Sequence, residues 1–279
     1  MCRKMTSSNG WIHFWKCWVK PMILKEVLYP KIINGEKVLL MFDYDGTLTP
    51  IVDKPENAKL EPEIKNSLES LAEDSFMHIA IVSGRDIKTL KKLSGIKSKE
   101  ISFFGIHGGQ SIINGEICDY SSPLQKNRIQ KMRAIFKKEL QYFEGVMLEN
   151  KIYSVAVHYR LADEGDIPEI LKIIYEKLDD YNSDKELKIQ SGKKVIEILP
   201  SNFSKDKAVR HLINACPEYF PVYFGDDYTD IPALTEAIKR KGVGIGIWSK
   251  DFTYPEGINV MKIEEINNFI KNISKEIKC

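Results

Sequence analysis

The chain has 279 residues and a formal net charge of +2, with 41 Lys and Arg against 39 Asp and Glu. This length is enough for one large domain or two modest ones with a hydrophobic core. Because the charges balance and no long basic segment occurs, neither nucleic acid nor an anionic membrane is expected as a partner.

The first 22 residues contain three of the four tryptophans, but His and Lys residues interrupt the stretch. It is too short and too interrupted to span a bilayer, and it lacks the small-residue cleavage site of a secretory signal. An interfacial membrane anchor stays an alternative. We expect the folded part to begin after Met22, and we count residues 1–34 as a mobile N-terminal extension.

The five cysteines are scattered and form no C-x-x-C pair. Their odd number and their spacing argue against a zinc site and against a disulfide scaffold. We therefore expect a reducing, cytoplasmic location.

From residue 36 onward, apolar runs of strand length alternate with segments of helical period. The runs are nearly continuous, as in parallel strands that helices cover on both faces. They lie at 38–42, 79–82, 103–106, 222–224 and 243–247. Helices are predicted at 63–71, 86–93, 205–214, 230–239 and 264–275. This alternation predicts a doubly wound α/β fold with a mostly parallel, Rossmann-like core sheet.

The middle of the chain, residues 111–198, has a different pattern. Short alternating strands are predicted at 111–114, 145–149, 154–159, 187–190 and 195–198. Two longer helices are predicted at about 124–142 and 165–180. This mixture predicts an inserted α+β domain, so that the core domain comprises residues 35–110 and 199–279.

The most informative segment is 38–50, VLLMFDYDGTLTP, an apolar strand that ends on two carboxylates. The period of two along a strand places Asp43 and Asp45 on the same side of its carboxyl end, and Gly46 permits a sharp turn. Two anions held together need a cation or a proton. The pair therefore indicates a Mg²⁺ site, a carboxylate nucleophile or an acid/base pair.

Two other interpretations apply to this segment. A calcium loop fails on spacing. Thr47 stands at its fifth position, where a carboxylate or an amide is usual, and Lys54 stands at its twelfth, where a bidentate Glu belongs. A plain Asp-Gly turn stays open for this segment taken alone.

Two more strand ends carry polar residues, and ligands of open parallel sheets bind at such ends. Ser83 and Gly84 offer a hydroxyl and a flexible backbone that suit a phosphate oxygen, although Ser83 could instead cap the next helix. Asp226, Asp227 and Asp230 follow the strand at 222–224 and would repel one another without a cation. Asp230 could alternatively cap the following helix.

Lys205 stands at a predicted helix start, where the macrodipole disfavours a cation. An anionic group should compensate. The candidates are the adjacent Asp206 and the phosphate and carboxylate groups of a site.

Taken in order, DYDGTLTP, the hydroxyl of SGR, Lys205 and GDDYTD resemble the four motifs of haloacid dehalogenase-like (HAD) phosphatases. The resemblance implies that Asp43 is the nucleophile, that Asp45 is the general acid and base, and that Ser83 and Lys205 hold the phosphate. It implies Mg²⁺ as the cofactor. The implied ligands are Asp43, the main-chain carbonyl of Asp45 and Asp226, with Asp227 and Asp230 as further ligands or anchors. Further phosphate contacts are implied at Thr47, Gly84 and Arg85.

The inserted domain would act as a cap that selects the substrate. ENK at 149–151, SVAVHYR at 154–160, GKKVIE at 192–197 and GIHGGQ at 105–110 are similar to segments of trehalose-6-phosphate phosphatases. The similarity implies sugar or phosphate contacts from His107, Gln110, Glu149, Lys151, Arg160, Lys193 and Glu197. Each of these residues could instead be a solvated strand residue or, for a histidine, part of the core.

The chain departs from the family pattern at two positions. Gln110 stands where an acid is frequent, which puts one sugar contact in doubt. Asp206 replaces the small Gly that often follows the third-motif Lys.

These motifs lead to the hypothesis of a monomeric, Mg²⁺-dependent trehalose-6-phosphate phosphatase whose partner is a small sugar phosphate. One alternative is another capped sugar-phosphate phosphatase or a phosphomannomutase. Another is a non-catalytic regulatory domain that binds a sugar phosphate, although such domains usually lose an essential acid and none is missing here.

Overall fold

A computed structural model of the chain describes residues 23–52, 54–192, 194–250 and 252–277. Its larger sheet, the core sheet, has eight strands. They are β1 (Val38–Phe42), β2 (Met77–Val82), β3 (Ser102–Gly105), β4 (Gln110–Ile113), β5 (Glu116–Asp119), β10 (Phe220–Gly225), β11 (Val243–Ile247) and β12 (Asn259–Met261). Their order is β12-β11-β10-β1-β2-β3-β4-β5.

Every strand pair from β12 to β3 is parallel, and only β3, β4 and β5 pair antiparallel. Alternate residues of β1 enter two different hydrophobic clusters: Leu40 and Phe42 face one, Leu39 and Met41 the other. Helices cover both faces of the sheet. They are α2 (Pro62–Leu71), α3 (Ile87–Ser94), α6 (Lys205–Ala215), α7 (Ile231–Lys239) and α8 (Ile263–Glu276). The predicted doubly wound α/β architecture is confirmed.

The smaller sheet, here the inserted sheet, is antiparallel. Its strands are β6 (Met147–Asn150), β7 (Val155–His158), β8 (Leu187–Gly192) and β9 (Val195–Pro200), in the order β6-β7-β9-β8. Its helices α4 (Pro123–Glu139) and α5 (Ile167–Tyr181) share a separate hydrophobic cluster with these strands. This α+β unit lies between β5 and α6 in the chain, where an insertion was predicted. The division into a core domain and a cap domain stays a prediction.

The β4–β5 hairpin differs from the prediction that the insertion begins at residue 111. It extends the core sheet, because β4 pairs with β3 as well as with β5. The Asn114-Gly115 turn, with both residues at positive φ, closes the hairpin. The same alternating pattern would suit an edge of either sheet, so the sequence does not reveal which sheet the hairpin joins.

The described part of the N-terminal segment differs from the predicted extension 1–34. A π-helical stretch at Leu24–Leu28 and α1 (Tyr29–Ile33) pack against the hydrophobic cluster of the core sheet. Leu24, Leu28 and Ile32 are buried in the largest hydrophobic cluster. Residues 1–22 lie outside the described part of the chain, and no helix among the described residues has the length and apolar character to cross a membrane.

Truncation of Leu28 to Ala should destabilise the fold. Leu28 is fully buried, whereas Ile33 in the next helical turns is 67% exposed. We expect Leu28→Ala to lower the free energy of unfolding by about 2–5 kcal/mol, because it leaves a cavity in a packed core. Chemical denaturation measures this, with Ile33→Ala as the matched control. Equal stability of the two variants would show that this helix does not stabilise the core.

Candidate active site

The carboxyl ends of three neighbouring strands meet at one edge of the core sheet. Asp43 follows β1, Ser83 follows β2 and Asp226 follows β10, and β1 lies between the other two strands. The first residue after β1 still belongs to the ladder, since the Asp43 N–H donates to the Phe224 carbonyl at 2.8 Å. The parallel register therefore brings together residues that are far apart in sequence.

These side chains border a cleft of about 870 Å³ between the core sheet and the inserted sheet. The core contributes Asp43, Asp45, Ser83, Gly84, Arg85, His107, Lys205, Asp226 and Asp227. The inserted sheet contributes Glu149, Asn150, Lys151, Ile152 and Gln190. The core side of the cleft is therefore strongly charged, whereas the opposite side carries both polar side chains and the apolar Ile152.

Gly46 makes the close approach of two loops possible. It has φ +84°, and a Cβ at this position would lie 2.0 Å from Oδ2 of Asp226. The turn that follows is closed by a hydrogen bond from the Gly46 N–H to the Thr49 carbonyl. The Asp-Gly segment therefore forms a turn, as one interpretation of the sequence proposed, and the missing side chain of Gly46 leaves room for the Asp226 carboxylate.

Lys205 is the central cation of the site. Its ammonium group, only 4% exposed, donates to Asp43 Oδ1 at 2.7 Å and to Asp230 Oδ1 at 2.8 Å. Burial alone would lower its pKa, but the charges of Asp230 and Asp43 raise the pKa of Lys205 above its usual value. These two carboxylates compensate the lysine at the helix start, whereas Asp206 pairs with Arg210 at 3.3 Å.

The buried acids at this edge resist ionisation. Burial raises the pKa of Asp43 well above its usual range, although Lys205 acts in the opposite direction. Burial, followed by the charge of Asp230, raises the pKa of Asp226 to about 7. One lysine does not neutralise three carboxylates, so a further cation would be favoured here.

The donor set fits a hard divalent cation. Oxygen atoms of Asp43, Asp226 and Asp230 lie within 4.8 Å of one another. Carboxylate and carbonyl oxygens are the ligands that Mg²⁺ prefers. The Thr47 hydroxyl in the loop after β1 is buried and lacks a hydrogen-bond partner among the described residues.

Two of the predicted metal residues are already engaged by protein groups. Asp230 accepts hydrogen bonds from Lys205 and, at 2.6 Å, from the Tyr223 hydroxyl. Asp227 Oδ1 accepts from both the N–H and the hydroxyl of Thr229. Asp227 is the N-cap of the short 3-10 turn at Tyr228–Asp230. Asp230 stands at the N-cap position of α7, as the alternative interpretation proposed, but its side chain makes no capping bond to that helix and binds Lys205 and Tyr223 instead. Asp226 lies beside Asp43 and Asp230 in the same carboxylate cluster.

Asp45 lies in a different environment from Asp43. Its carboxylate binds the Arg85 guanidinium in a bidentate pair, with both N–O distances at 2.6 Å. The Asp45 side chain is 37% exposed and lines the cleft. Its side chain is not part of the carboxylate cluster that could hold a metal. The two acids of the motif thus have separate surroundings that suit separate roles.

Ser83 and Gly84 lie at the floor of the cleft. The N-cap of α3 is Asp86, which accepts from the Thr89 N–H, so Ser83 does not cap this helix. Ser83 instead accepts from the Arg85 N–H at 3.1 Å. Gly84 leaves room for an imidazole, because a Cβ here would lie 2.7 Å from the His107 ring.

His107 has a left-handed backbone with φ +53°. Burial, together with the charge of Lys205, lowers its pKa to about 3, so the imidazole is neutral at ordinary pH. Its Nε2 lies 3.1 Å from the Gln190 side-chain nitrogen, which is a donor, so Nε2 acts as the acceptor. His107 therefore connects the core sheet to the inserted sheet at the cleft.

The predicted sugar contacts divide into two groups. Glu149 and Lys151 line the cleft; Glu149 binds His158 at 2.9 Å, and Lys151 binds both carboxylate oxygens of Glu197 at 3.1 Å. Among the residues that the structure describes, the cleft lining does not include Thr47, Gln110, Arg160 or Glu197. Lys193 lies outside the described residues.

Sequence reasoning missed several cleft residues. Gln190, Asn150 and Ile152 line the cleft from the inserted sheet, and Ile51 and Glu56 line it from the core loop after β1. Asn150 and Ile152 are sequence neighbours of the predicted residues Glu149 and Lys151, and this proximity is the signal that could have indicated them. Gln190 sits in an ordinary alternating strand, and its position at the cleft depends on how two sheets pack.

Comparison with known proteins identifies relatives of this chain. A family model described as trehalose-phosphatase matches residues 41–256. The Arabidopsis thaliana protein named trehalose-phosphate phosphatase B is 30% identical over 241 residues. That alignment covers 79% of this chain and 62% of the plant protein, so this chain spans less than two thirds of that relative.

Solved structures give the same fold. The C-terminal domain of a C. albicans trehalose-6-phosphate phosphatase aligns with a TM-score of 0.71 at 24% identity, covering 88% of this chain and 96% of that one. The C-terminal domain of the Candida albicans trehalose synthase regulatory protein aligns with a TM-score of 0.70 at 9% identity, covering 88% and 97%. At these identities the likeness concerns the fold alone. The family model covers most of the chain, however, so the resemblance seen in the sequence motifs is confirmed and the chain belongs to the trehalose-phosphatase family.

Proposed function

We propose that the protein is a Mg²⁺-dependent phosphatase that hydrolyses trehalose 6-phosphate to trehalose and phosphate. The observation that carries the proposal is the placement of Asp43, buried at the end of β1, with the Lys205 ammonium 2.7 Å away and the Asp226 carboxylate beside it. The names of the relatives, which are trehalose-phosphate phosphatases, support this choice of substrate.

Asp43 is the proposed nucleophile. A carboxylate that attacks a phosphoryl dianion meets electrostatic repulsion, which the Lys205 ammonium reduces at the point of attack. The Asp43 oxygen forms a bond to phosphorus while the bond from phosphorus to the sugar oxygen breaks, giving an aspartyl phosphate. Ser83 and the main chain at Gly84, which line the cleft beside Asp43, are the proposed contacts for the phosphoryl oxygens. Bound Mg²⁺, with Asp43, Asp226 and the Asp45 carbonyl as ligands, would supply further charge neutralisation.

Asp45 is the proposed proton carrier. It donates a proton to the leaving sugar oxygen, then accepts one from the water that cleaves the aspartyl phosphate. Exposure of its carboxylate at the cleft permits this exchange, and Arg85 orients it through the bidentate pair. Asp43 is assigned the other role, since its carboxylate is buried and bound by the Lys205 ammonium.

The inserted sheet is the proposed source of specificity. Glu149, Asn150, Lys151 and Gln190 offer acceptors and donors for the hydroxyl groups of a disaccharide above the phosphoryl site. Arg160, Glu197, Gln110 and Lys193 remain proposed substrate contacts from the family resemblance, although the first three lie outside the cleft lining. A cytoplasmic location and a monomeric state also remain predictions of the sequence.

A non-catalytic regulatory domain is the alternative of another class. The likeness to the Candida albicans regulatory protein shows that this fold occurs in a protein with such a name. The feature that favours catalysis here is the complete set of acids together with Lys205. Another capped sugar phosphatase, or a mutase, would differ in its substrate and is separated by the first experiment below.

Trehalose 6-phosphate should be the preferred substrate in a panel of sugar phosphates. We expect its kcat/KM to exceed those of glucose 6-phosphate and mannose 6-phosphate by at least about tenfold, since these lack a second ring to contact the inserted sheet. Release of inorganic phosphate measures the rates. Equal rates on all three compounds would favour a general sugar phosphatase, and binding without release would favour the regulatory domain.

Removal of divalent cations should abolish phosphate release. We expect loss of activity with EDTA and recovery with excess Mg²⁺, because Asp43 and Asp226 otherwise leave uncompensated negative charge beside the phosphoryl group. Mg²⁺ should also raise the melting temperature of the wild type and of Asp179→Asn, an exposed acid on α5, but not of Asp226→Asn. Full activity in EDTA would contradict the metal assignment.

Replacement of Asp43 by Asn should stop turnover and preserve the fold. The amide has nearly the same shape but cannot form the phosphoryl ester, so we expect a loss of at least about a thousandfold in kcat. Lys205 keeps Asp230 as its partner, so the protein should still fold cooperatively. Phosphate release and thermal unfolding measure the two effects, with Asp179→Asn as the control. Undiminished turnover would rule out Asp43 as the nucleophile.

A further inference from the structure

The loop between β6 and β7, residues 151–154, reaches from the inserted sheet to both the cleft and the core sheet. Its first two residues, Lys151 and Ile152, line the cleft. The next residue, Tyr153, is only 6% exposed and packs against Ile106, Leu199 and Phe203. The first two residues of the loop therefore border the cleft, whereas its third residue is buried.

The Tyr153 hydroxyl binds two residues of the core sheet. It donates to Asp119 Oδ2 at 2.6 Å and accepts from the Gln110 side-chain amide at 3.0 Å. Gln110 and Asp119 are direct partners in the β4–β5 ladder, so the hydroxyl binds two adjacent positions of this hairpin. Lys126 forms an ion pair with Asp119 at 2.8 Å.

The Asp119 carboxylate stays ionised at ordinary pH. Although burial acts in the opposite direction, hydrogen bonds from Lys126, Ser121 and Tyr153 lower the pKa of Asp119 to about 2. A hydrogen bond from a phenol to an ionised carboxylate is among the stronger types in proteins. The hydrogen bond from Tyr153 to the ionised Asp119 therefore persists over the whole pH range in which enzymes are usually assayed.

Apolar contacts fix the ring as well. Tyr153 forms one small hydrophobic cluster with Ile106, Leu199 and Phe203, and it meets the Phe203 ring edge to face at a centroid distance of 6.1 Å. Phe203 itself lies over Gly109, where a Cβ would come within 2.2 Å of the Phe203 ring. The ring thus sits where chain segments of both sheets meet.

The other side of the loop is held by the inserted sheet. Glu197 of β9 binds the Lys151 ammonium at 3.1 Å, and Arg133 of α4 donates to the Ser154 carbonyl at 3.1 Å. These contacts fix Lys151 relative to the inserted sheet only. The contacts of Tyr153 are what fix the same loop relative to β4 and β5, and hence to the floor of the cleft.

We propose that Tyr153 is a positioning residue for substrate binding: its bonds to Asp119 and Gln110 set the place of loop 151–154, and so of Lys151, above the phosphoryl-transfer site. This inference rests on the proposed hydrolysis of a sugar phosphate. The chemistry at Asp43 does not involve the loop, so loss of the Tyr153 hydroxyl should affect substrates that reach the inserted sheet and spare those that do not.

Tyr153→Phe tests the inference, and Tyr120→Phe is the matched control. Tyr120 also loses a hydroxyl hydrogen bond, 2.9 Å to Ser111, but that bond stays within the β4–β5 hairpin and its flank. We expect Tyr153→Phe to raise KM for trehalose 6-phosphate about tenfold, the loss expected for one hydrogen bond to a charged group. The kcat/KM for p-nitrophenyl phosphate, which is too small to contact both sheets, should stay within about twofold of the wild type. Tyr120→Phe should leave both constants near those of the wild type.

Hydrogen exchange provides a readout that does not need the sugar substrate. Backbone amides of residues 149–154 should exchange faster in Tyr153→Phe than in the wild type or in Tyr120→Phe. Unchanged exchange in this segment would overturn the inference, and so would an equal loss of activity on both substrates. If the wild type fails to hydrolyse trehalose 6-phosphate, the proposed function fails, while the exchange data still decide whether Tyr153 anchors the loop.

Discussion

The ion cluster around Lys205 is the interaction on which the rest of the site depends. A fully buried ammonium group is tolerable only when it is paired, and here Asp43 and Asp230 pair with it from two different strand ends. Asp226 adds a third carboxylate to the same volume. One ammonium group cannot balance the charge of three carboxylates, so either protons or a further cation must do so. The raised pKa values of Asp43 and Asp226 reflect this excess of negative charge together with burial. The charges of the protein alone therefore require protons or a further cation at this site, and the oxygen donor set is of the type that a divalent cation prefers.

This cluster also explains why the loops around it must approach so closely. Asp226 reaches Asp43 only because Gly46 has no side chain, and Asp230 is locked by Lys205 and the Tyr223 hydroxyl. The parallel sheet supplies the common edge, and the short loops after β1 and β10 supply the charges. Replacement of any one loop would leave buried charge without a partner, which costs more than the loss of a hydrogen bond.

The sequence predicted those parts of the fold that are locally encoded. Continuous apolar runs identified the buried parallel strands, and the polar residues directly after β1, β2 and β10 indicated the candidate site, because strand ends share one edge. What the sequence did not predict depends on packing between elements. The β4–β5 hairpin could have joined either sheet, the helical turns at Leu24–Leu28 gave no strong signal among tryptophan-rich residues, and Gln190 reaches the cleft only through the relative position of two sheets. Glu197 lies outside the cleft lining and binds the Lys151 ammonium with both carboxylate oxygens, a contact that also depends on how β6, β7 and β9 pack.

Gln110 shows how one departure from a family pattern follows from its neighbours. An acid at this position would stand directly opposite Asp119 in the β4–β5 ladder, and like charges in that arrangement repel. The amide avoids the repulsion and, unlike a carboxylate, has a donor to offer to the Tyr153 hydroxyl, whose own proton is directed at Asp119. Asp119, Tyr153 and Gln110 thus form a chain in which each donor has one acceptor. Gln110, which stands where an acid is frequent in the family, therefore binds the loop that carries Lys151, a residue of the cleft lining.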